Sequence, residues 1–307
     1  MDRLSWMHCF TRSVETGSFS AVAREMRTGQ PNVSRQIAAL EKHLGVRLLH
    51  RSTRQLTLTP QGARFYPDAR RILDATREAE CSARGEGKPQ GLLRVACPTA
   101  LGRTHLLPQL GTFLAKYPGI RIDVQIGDRF INLIEEGVDV AVRIGMPKDS
   151  ALAARKVGLA ERICLASVGY LAKLAPPMEP RDLLKHECVL YGSSGSANTW
   201  TLGGQDVAVT GRVAVNDPDG AYRAVIDDLG VGNAPVWLFE RALLDGRVKA
   251  LLLNYPIQPV PIYLVYSEHR LMPLRATVFM DFIAAAFSHE ASLNEGSVAH
   301  VLRRLSV

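Results

Sequence analysis

SFSAVAREMRTGQPNVSRQIAALEKHLGVRLLHRSTRQLTLTPQG, Ser18 to Gly62, is the stretch on which the reading of the chain turns. Phe19, Val22, Ala23 and Met26 recur at i, i+3, i+4 and i+7, which gives a short helix one apolar face. Ser18 stands where a hydroxyl accepts from the orphan N–H groups of a first turn. Gly29 breaks the pattern, and Pro31 restarts it at a first-turn position, where its missing N–H costs little. Val33, Ile37, Leu40 and Leu44 then fall in one stripe, with Pro31, Ser34, Arg35, Ala38 and Lys42 on the opposite side. Such a small, cationic face can sink into a groove and donate to phosphates and base edges. Taken alone it is equally a solvated polar face.

The next residues decide between these two. Arg47-Leu-Leu-His-Arg51 and Arg54-Gln-Leu-Thr-Leu-Thr59 read as two short strands around Ser52-Thr53, with Arg51 and Arg54 at the tip. A helix-turn-helix followed by a basic two-stranded wing is a winged helix-turn-helix DNA reader. The charge agrees. Residues 1–88 carry 15 Lys and Arg against 9 Asp and Glu, while residues 89–307 carry 22 against 21. The positive excess therefore sits with the reader, where it favours phosphate.

The stretch resembles the N-terminal domain of LysR-type transcriptional regulators. The matching residues are Gly17-Ser18-Phe19-Ser20, Gln30-Pro31-Asn32-Val33-Ser34-Arg35-Gln36-Ile37, Leu40-Glu41, Leu44-Gly45, Leu48-Leu49-His50-Arg51 and Leu58-Thr59 with Gly62. Arg51-Ser-Thr-Arg54 is similar to the subgroup whose wing reads Leu-Leu-His-Arg-Thr-Thr-Arg. The chain departs from the family's habit at Gly29, often Ser, at Val22, often Ala, and at Asn32, often Ala or Ser. The DNA-contacting candidates are Ser18, Gln30, Pro31, Asn32, Ser34, Arg35, Arg51 and Arg54.

Outside this stretch, residues 2–15 form an amphipathic helix with Leu4, Met7, Phe10 and Val14 on one face. Residues 59–84 read as a long helix, capped by Thr59, started by Pro60 and kinked near Pro67. A lone helix of this kind needs a partner. Either it packs on its own domain, or, as the resemblance implies, it pairs antiparallel with its copy in a second subunit. Gly85–Gly91 reads as a linker.

From residue 92 strands and helices alternate, the pattern of parallel α/β units. The expected strands are Leu92–Cys97, Arg121–Ile126, Val138–Ile144, Glu161–Ser167, Cys188–Tyr191, Val207–Val215, Val231–Asn233, Val248–Leu252 and Ile262–Tyr266. The expected helices are Thr104–Tyr117, Phe130–Glu136, Asp219–Leu229, Val236–Leu244 and Thr277–Phe287. Gly91–Pro98, Glu135–Gly145 and Ala166-Ser167 with Tyr170-Leu171-Ala172 resemble the family's effector domain, which is similar to periplasmic solute-binding proteins.

The fold class expected is thus α/β behind an all-α-plus-wing N-terminal domain. The boundaries expected are 1–62 for the reader, 63–90 for the linker helix and hinge, and 91–290 for a two-lobed effector domain. Its lobe I covers about 91–162 and 266–288, and its lobe II about 163–265. Residues 291–307 are expected to be a C-terminal tail; 288–307, outside the resemblance, read as a frayed tail in preference to a short amphipathic helix.

Ligands of open α/β sheets bind beyond the carboxyl ends of strands. Cys97-Pro98-Thr99-Ala100, Arg143-Ile144-Gly145, Asn216-Asp217 and Gly232-Asn233-Ala234 end strands that converge on a cleft. The candidates there are Thr99, Ala100, Arg143, Ile144, Asp217 and Asn233, and the expected ligand is a small organic anion. The competing reading makes Arg143 an ion-pair partner of Asp217 and Thr99 a helix cap. Cys97, beside the cleft, reads as a buried strand cysteine and not as a redox sensor.

Five dispersed cysteines, with no C-x-x-C, suit a reducing compartment and no disulfide framework. No apolar run reaches the length of about 18 residues that spans a bilayer. Met1-Asp2-Arg3-Leu4 opens no leader, so a cytoplasmic protein is expected rather than an exported solute-binding protein. Nucleophile elbow, P-loop, paired metal ligands and G-x-G-x-x-G are missing from the sequence, and His105, His186 and His269 stand isolated. No enzyme activity, metal or cofactor is expected. The partners expected are double-stranded DNA, a small-molecule effector, the chain itself as a homodimer or homotetramer, and RNA polymerase.

Overall fold

The computed structural model describes residues 2–51, 56–83, 88–129, 132–133, 136–146, 152–192, 198–267 and 272–305. The N-terminal domain packs α1 (Arg3–Thr16), α2 (Phe19–Glu25) and α3 (Gln30–Leu44) around Phe10, Val22, Val33, Ile37 and Leu40, all fully buried. Ser18 caps α2, its Oγ accepting from Ala21 N–H at 3.3 Å. Leu44, expected in the buried stripe, is 37% exposed at the last turn of α3. Glu41 is buried in its place. Its Oε1 accepts from the backbone N–H groups of Leu48 at 2.8 Å and Leu49 at 3.3 Å, while Oε2 takes Arg47 at 3.2 Å. The carboxylate thus ties the end of α3 to β1 (Leu49–Arg51), which pairs antiparallel with β2 (Leu56–Leu58) to make the wing.

The linker helix α4 (Pro60–Ala83) is continuous through Pro67. Thr59 Oγ1 accepts from Gly62 N–H at 2.9 Å and caps it. Gly62 has to be glycine, because a Cβ there would stand 2.0 Å from the Leu48 carbonyl oxygen. The first half of α4 packs on its own domain, with Phe65 and Tyr66 against Phe10 at ring separations of 5.8 and 6.3 Å. Further along, Ile72 is 42% exposed. Asp74 instead turns to the next domain and pairs at 3.0 Å with Arg275, which is only 3% exposed and also donates to Leu92 C=O.

The larger domain begins with β3 (Gly91–Cys97). A helical segment follows, from α5 (Thr99–Leu101) through a π-turn at Gly102–Leu106 into α6 (Leu107–Lys116). Next come β4 (Ile120–Ile126), β5 (Val140–Ile144), β6 (Leu152–Ala160) and β7 (Arg162–Ser167). The helix expected at Phe130–Glu136 lies partly outside the described residues. Those described there form a turn, closed by Glu136 N–H on Asn132 C=O at 3.0 Å.

The chain continues through α7 (Val168–Lys173), a 3-10 turn at Pro180–Lys185, β8 (Val189–Tyr191), β9 (Asn198–Leu202), β10 (Gln205–Val209) and β11 (Val213–Val215). It closes with α8 (Pro218–Ile226), β12 (Gly232–Pro235), α9 (Val236–Leu244), β13 (Val248–Leu251), β14 (Val260–Ser267), α10 (Leu274–His289) and α11 (Ser297–Leu305).

One lobe rests on the sheet β4-β3-β5-β14-β6, the other on β12-β7-β13 with the smaller pairs β8-β11 and β9-β10. The five-stranded sheet is mixed and the three-stranded sheet antiparallel, not all parallel as the alternation suggests. β14 runs antiparallel to both β5 and β6, and β7 antiparallel to β12 and β13. Three further corrections follow. β6 carries no expected element. β14 belongs to the first lobe from Val260 onward, so the second crossing between lobes comes before it and not near residue 266. The C-terminal segment is the short helix and not the frayed tail: α11 docks with its Val301 fully buried.

Candidate nucleic-acid interface and interlobe cleft

Packing turns one face of α3 inward and leaves the other to solvent. Gln30, Pro31, Arg35, Ala38 and Lys42 are exposed, and Ser34 is half-buried. Arg35 lies close along its own helix, its Nε 3.4 Å from the Pro31 carbonyl. Two of the candidates have local work. Ser18 caps α2, and the Asn32 amide donates to Thr28 Oγ1 at 2.9 Å, bracing the turn between α2 and α3. The side chain of Arg51 and the whole of Arg54 lie outside the described residues.

The turn itself carries a cation that the sequence pattern did not single out. Arg27 is exposed and left-handed, with φ 51°. Thr28 N–H bonds Ala23 C=O at 2.9 Å and Arg27 N–H bonds Arg24 C=O at 3.2 Å. This is a Schellman ending, whose left-handed position is ordinarily glycine because a Cβ is strained there.

Between the lobes lies a cavity of about 390 Å³. Leu101, Val189, Val225, Leu238 and Phe239 give it apolar walls, and Asp128, Arg143, Arg162, Tyr191 and Asn233 line it with polar groups. Of the six candidates, Ala100, Arg143, Ile144 and Asn233 line it, while Thr99 and Asp217 do not. The reasons are local. Thr99 N–H already donates to Asp128 Oδ1 at 3.1 Å, and Asp217 caps α8 by accepting from Gly220 N–H at 2.7 Å. Burial pushes the Arg143 guanidinium below its usual range, opposed by the nearby Cys97, Glu136 and Asp128. Cys97 is buried, and desolvation drives its thiol well above the ordinary value, in keeping with a core strand cysteine.

Arg162 is the residue that the search of strand ends missed. Asn233 holds it twice, accepting from Nε at its Oδ1, 3.0 Å, and from Nη2 at its carbonyl, 2.7 Å. Among the described residues no carboxylate pairs with it, and burial lowers its pKa. Among the described residues this half-buried cation is held by neutral acceptors, an arrangement that can accommodate an anion. Trp237 also lines the cavity. Trp237 Nε1–H is buried and meets no acceptor among the described residues, and His105 stands edge-on to its ring at 5.2 Å. At the mouth of the cleft Arg103 pairs with Asp219, bridging the two lobes.

Two family models match the chain: the bacterial regulatory helix-turn-helix protein of the lysR family over residues 4–63, and the LysR substrate binding domain over residues 86–288. The chain is a LysR-type transcriptional regulator. It is 32% identical to the HTH-type transcriptional regulator PtxR of Pseudomonas aeruginosa over 94% of both chains. It is 29% identical to the HTH-type transcriptional activator AaeR of Escherichia coli, again over 94% of both. Among solved structures, CrgA of Neisseria meningitidis is similar at 31% identity and a TM-score of 0.61, covering 93% of this chain and 99% of that one. This LysR-type regulator thus joins a helix-turn-helix DNA-binding domain to an effector-binding domain. Among its described residues no helix is long and apolar enough to cross a membrane.

Proposed function

We propose that this regulator reads duplex DNA through α3, the turn before it and the wing, as a homodimer or homotetramer, and that a small organic anion in the interlobe cleft controls it. Gln30, Pro31, Ser34 and Arg35 face the major groove, and Arg51 and Arg54 grip the backbone or minor groove. The exposed Ile72 supports pairing of α4 with a second copy. The protein acts in the cytoplasm, on promoter DNA and beside RNA polymerase.

The observation that carries the anion is Arg162, a half-buried guanidinium with amide and carbonyl partners and no carboxylate among the described residues. Arg143 adds a second positive charge to the same cavity, against the one carboxylate of Asp128 among its described lining residues. The ligand is therefore a carboxylate with an apolar body, its head at Arg162 and Arg143. Thr99 and Asp217 act as local structure.

The test is a thermal-shift and calorimetric screen of small carboxylates against the full chain and Arg162→Gln. A charge-assisted hydrogen bond contributes about 1.5–3 kcal/mol, so Arg162→Gln weakens a stabilising carboxylate by roughly 10- to 100-fold. Equal affinity in the two proteins refutes the assignment. The DNA arm is a titration at several salt concentrations on the fragment upstream of the coding region. Specific binding exceeds non-specific binding by about 10³ or more.

A further inference from the structure

The last segment of the chain lies beyond the matched effector-binding domain, which ends at residue 288. It is nonetheless anchored in both lobes. Leu293, in a short 3-10 turn after α10, is fully buried in the core of the first lobe. Val301, on α11, is fully buried in the core of the second lobe, and Val298 packs beside it. Asn294 ties the turn between them, its amide donating to Phe287 C=O at 2.8 Å and Glu290 C=O at 2.7 Å. The segment passes so close over β6 that a Cβ on Gly158 would come within 2.9 Å of the Leu293 carbonyl oxygen. Arg304 pairs with Glu240 on α9 of the second lobe.

Between the two anchors the segment meets the hinge. Glu161 is the single residue between β6 of the first lobe and β7 of the second. Its carboxylate accepts from Gly296 N–H at 2.9 Å, Ser297 Oγ at 3.0 Å and Val298 N–H at 2.8 Å, so it caps α11. Its backbone carbonyl accepts from Val236 N–H at 2.9 Å, at the start of α9. One hinge residue thus holds the first turns of two helices.

We propose that residues 290–305 form a strap across the hinge, latched by Glu161, that sets the angle between the two lobes. Opening the cleft turns the lobes about the crossing at Glu161. The strap has one apolar anchor in each core and a fixed latch between them, so it resists that rotation. Arg162, the next residue, is presented to the cleft at the angle the strap allows. The inference stands on the hinge contacts and holds whether or not the cleft takes an anion.

The test measures the lobe-to-lobe distance in the full chain by pulsed electron spin resonance. Spin labels go on Ala115→Cys in the first lobe and Gln205→Cys in the second, both exposed positions. Cys81→Ser removes one native thiol, and Cys9, Cys97, Cys164 and Cys188 are buried. Dilution with unlabelled protein restricts the signal to pairs within one chain. Glu161→Ala, and a chain stopped after Glu295, are expected to broaden the distance distribution about twofold or shift its mean. Distributions identical to that of the parent, in folded protein, overturn the proposal. If the shortened chain precipitates, Glu161→Ala carries the test with a second readout, tryptic cleavage after Arg303 and Arg304. Cleavage about 10-fold faster than in the parent is expected, and an unchanged rate overturns the latch.

Discussion

Arg27→Gly separates what the turn before α3 costs from what it contributes. In the protein Arg27 stands at φ 51° in a Schellman ending, held by bonds of 2.9 and 3.2 Å. A non-glycine residue in the left-handed region costs about 1–2 kcal/mol. Glycine removes that strain but also enlarges the conformational freedom of the unfolded chain, which returns about 0.4–1 kcal/mol. The net expectation is a gain of about 0.5–1 kcal/mol. In a domain this small that corresponds to a rise of a few degrees in melting temperature. Trp6, whose ring meets His43 of α3 at 6.3 Å, reports the melting of this domain once Trp200→Phe and Trp237→Phe remove the other two tryptophans.

The DNA side of the same variant moves the other way. Arg27 is exposed in the turn that leads into α3, so its guanidinium is placed to meet backbone phosphate. Its loss lowers the slope of log affinity against log salt by about 0.9, to a similar extent on specific and non-specific DNA. A more stable domain that binds DNA less well means strain is kept here for the cation it presents. A melting temperature that falls or stays unchanged refutes the strain argument. An unchanged salt slope refutes the phosphate contact.

Three other outcomes follow from the structure. Glu41→Ala leaves the Leu48 and Leu49 amides unsatisfied and costs about 2–4 kcal/mol, whereas Glu41→Gln, which keeps Oε1 as acceptor, costs less than about 1 kcal/mol; Trp6 melts and amide exchange over residues 46–50 distinguish them. His105, buried against Trp237, is held down at about 4. Above pH 6.5 neither the folded nor the unfolded chain protonates it; as the pH falls from 6.5 toward 4 the unfolded chain alone takes the proton, and stability drops by up to about 3 kcal/mol. His8 and His186 are also lowered by burial, so the share of His105 is read as the difference between the parent and His105→Leu in denaturant melts from pH 7 to 4. Asp74→Ala removes a carboxylate that pairs with the buried Arg275 at 3.0 Å and costs about 2 kcal/mol, seen as a lower melting temperature of the effector domain and faster exchange in α4.

The N-terminal domain was legible because its determinants are local. Ser18 caps the helix it precedes, Pro31 opens the next, and apolar spacing puts Val33, Ile37 and Leu40 in the core. Leu44 and Glu41 exchanged places, and Leu4, on the expected apolar face of α1, is 38% exposed. The exchange needed the amides of Leu48 and Leu49, which reach the carboxylate only after the chain has turned back through Gly45. β6 was invisible for the opposite reason. Its residues show no alternation of burial, and it is a strand because β14, about a hundred residues later, supplies its hydrogen bonds.

The cleft illustrates how a sound rule can select residues that do not line the cavity. Beyond the carboxyl end of a parallel strand is where ligands sit, and the search along strand ends therefore selected Thr99 and Asp217. Both are used locally, one amide by Asp128 and one carboxylate by α8. The second lobe is antiparallel at its centre, with Arg162 opposite Pro235. The amino end of β7 therefore lies at the same edge as the carboxyl end of β12, and the cation that lines the cleft comes from a strand's first residue. Nothing within a few residues of Arg162 marks it. Its partner Asn233 is 71 residues away, and the contacts that fix the neighbouring Glu161 are 136 residues away at Ser297. Sequence periodicity reports which face of an element is buried. The position of the cation in the cleft is set by strand direction and by contacts made across the whole domain, so it becomes readable only when the fold is in view.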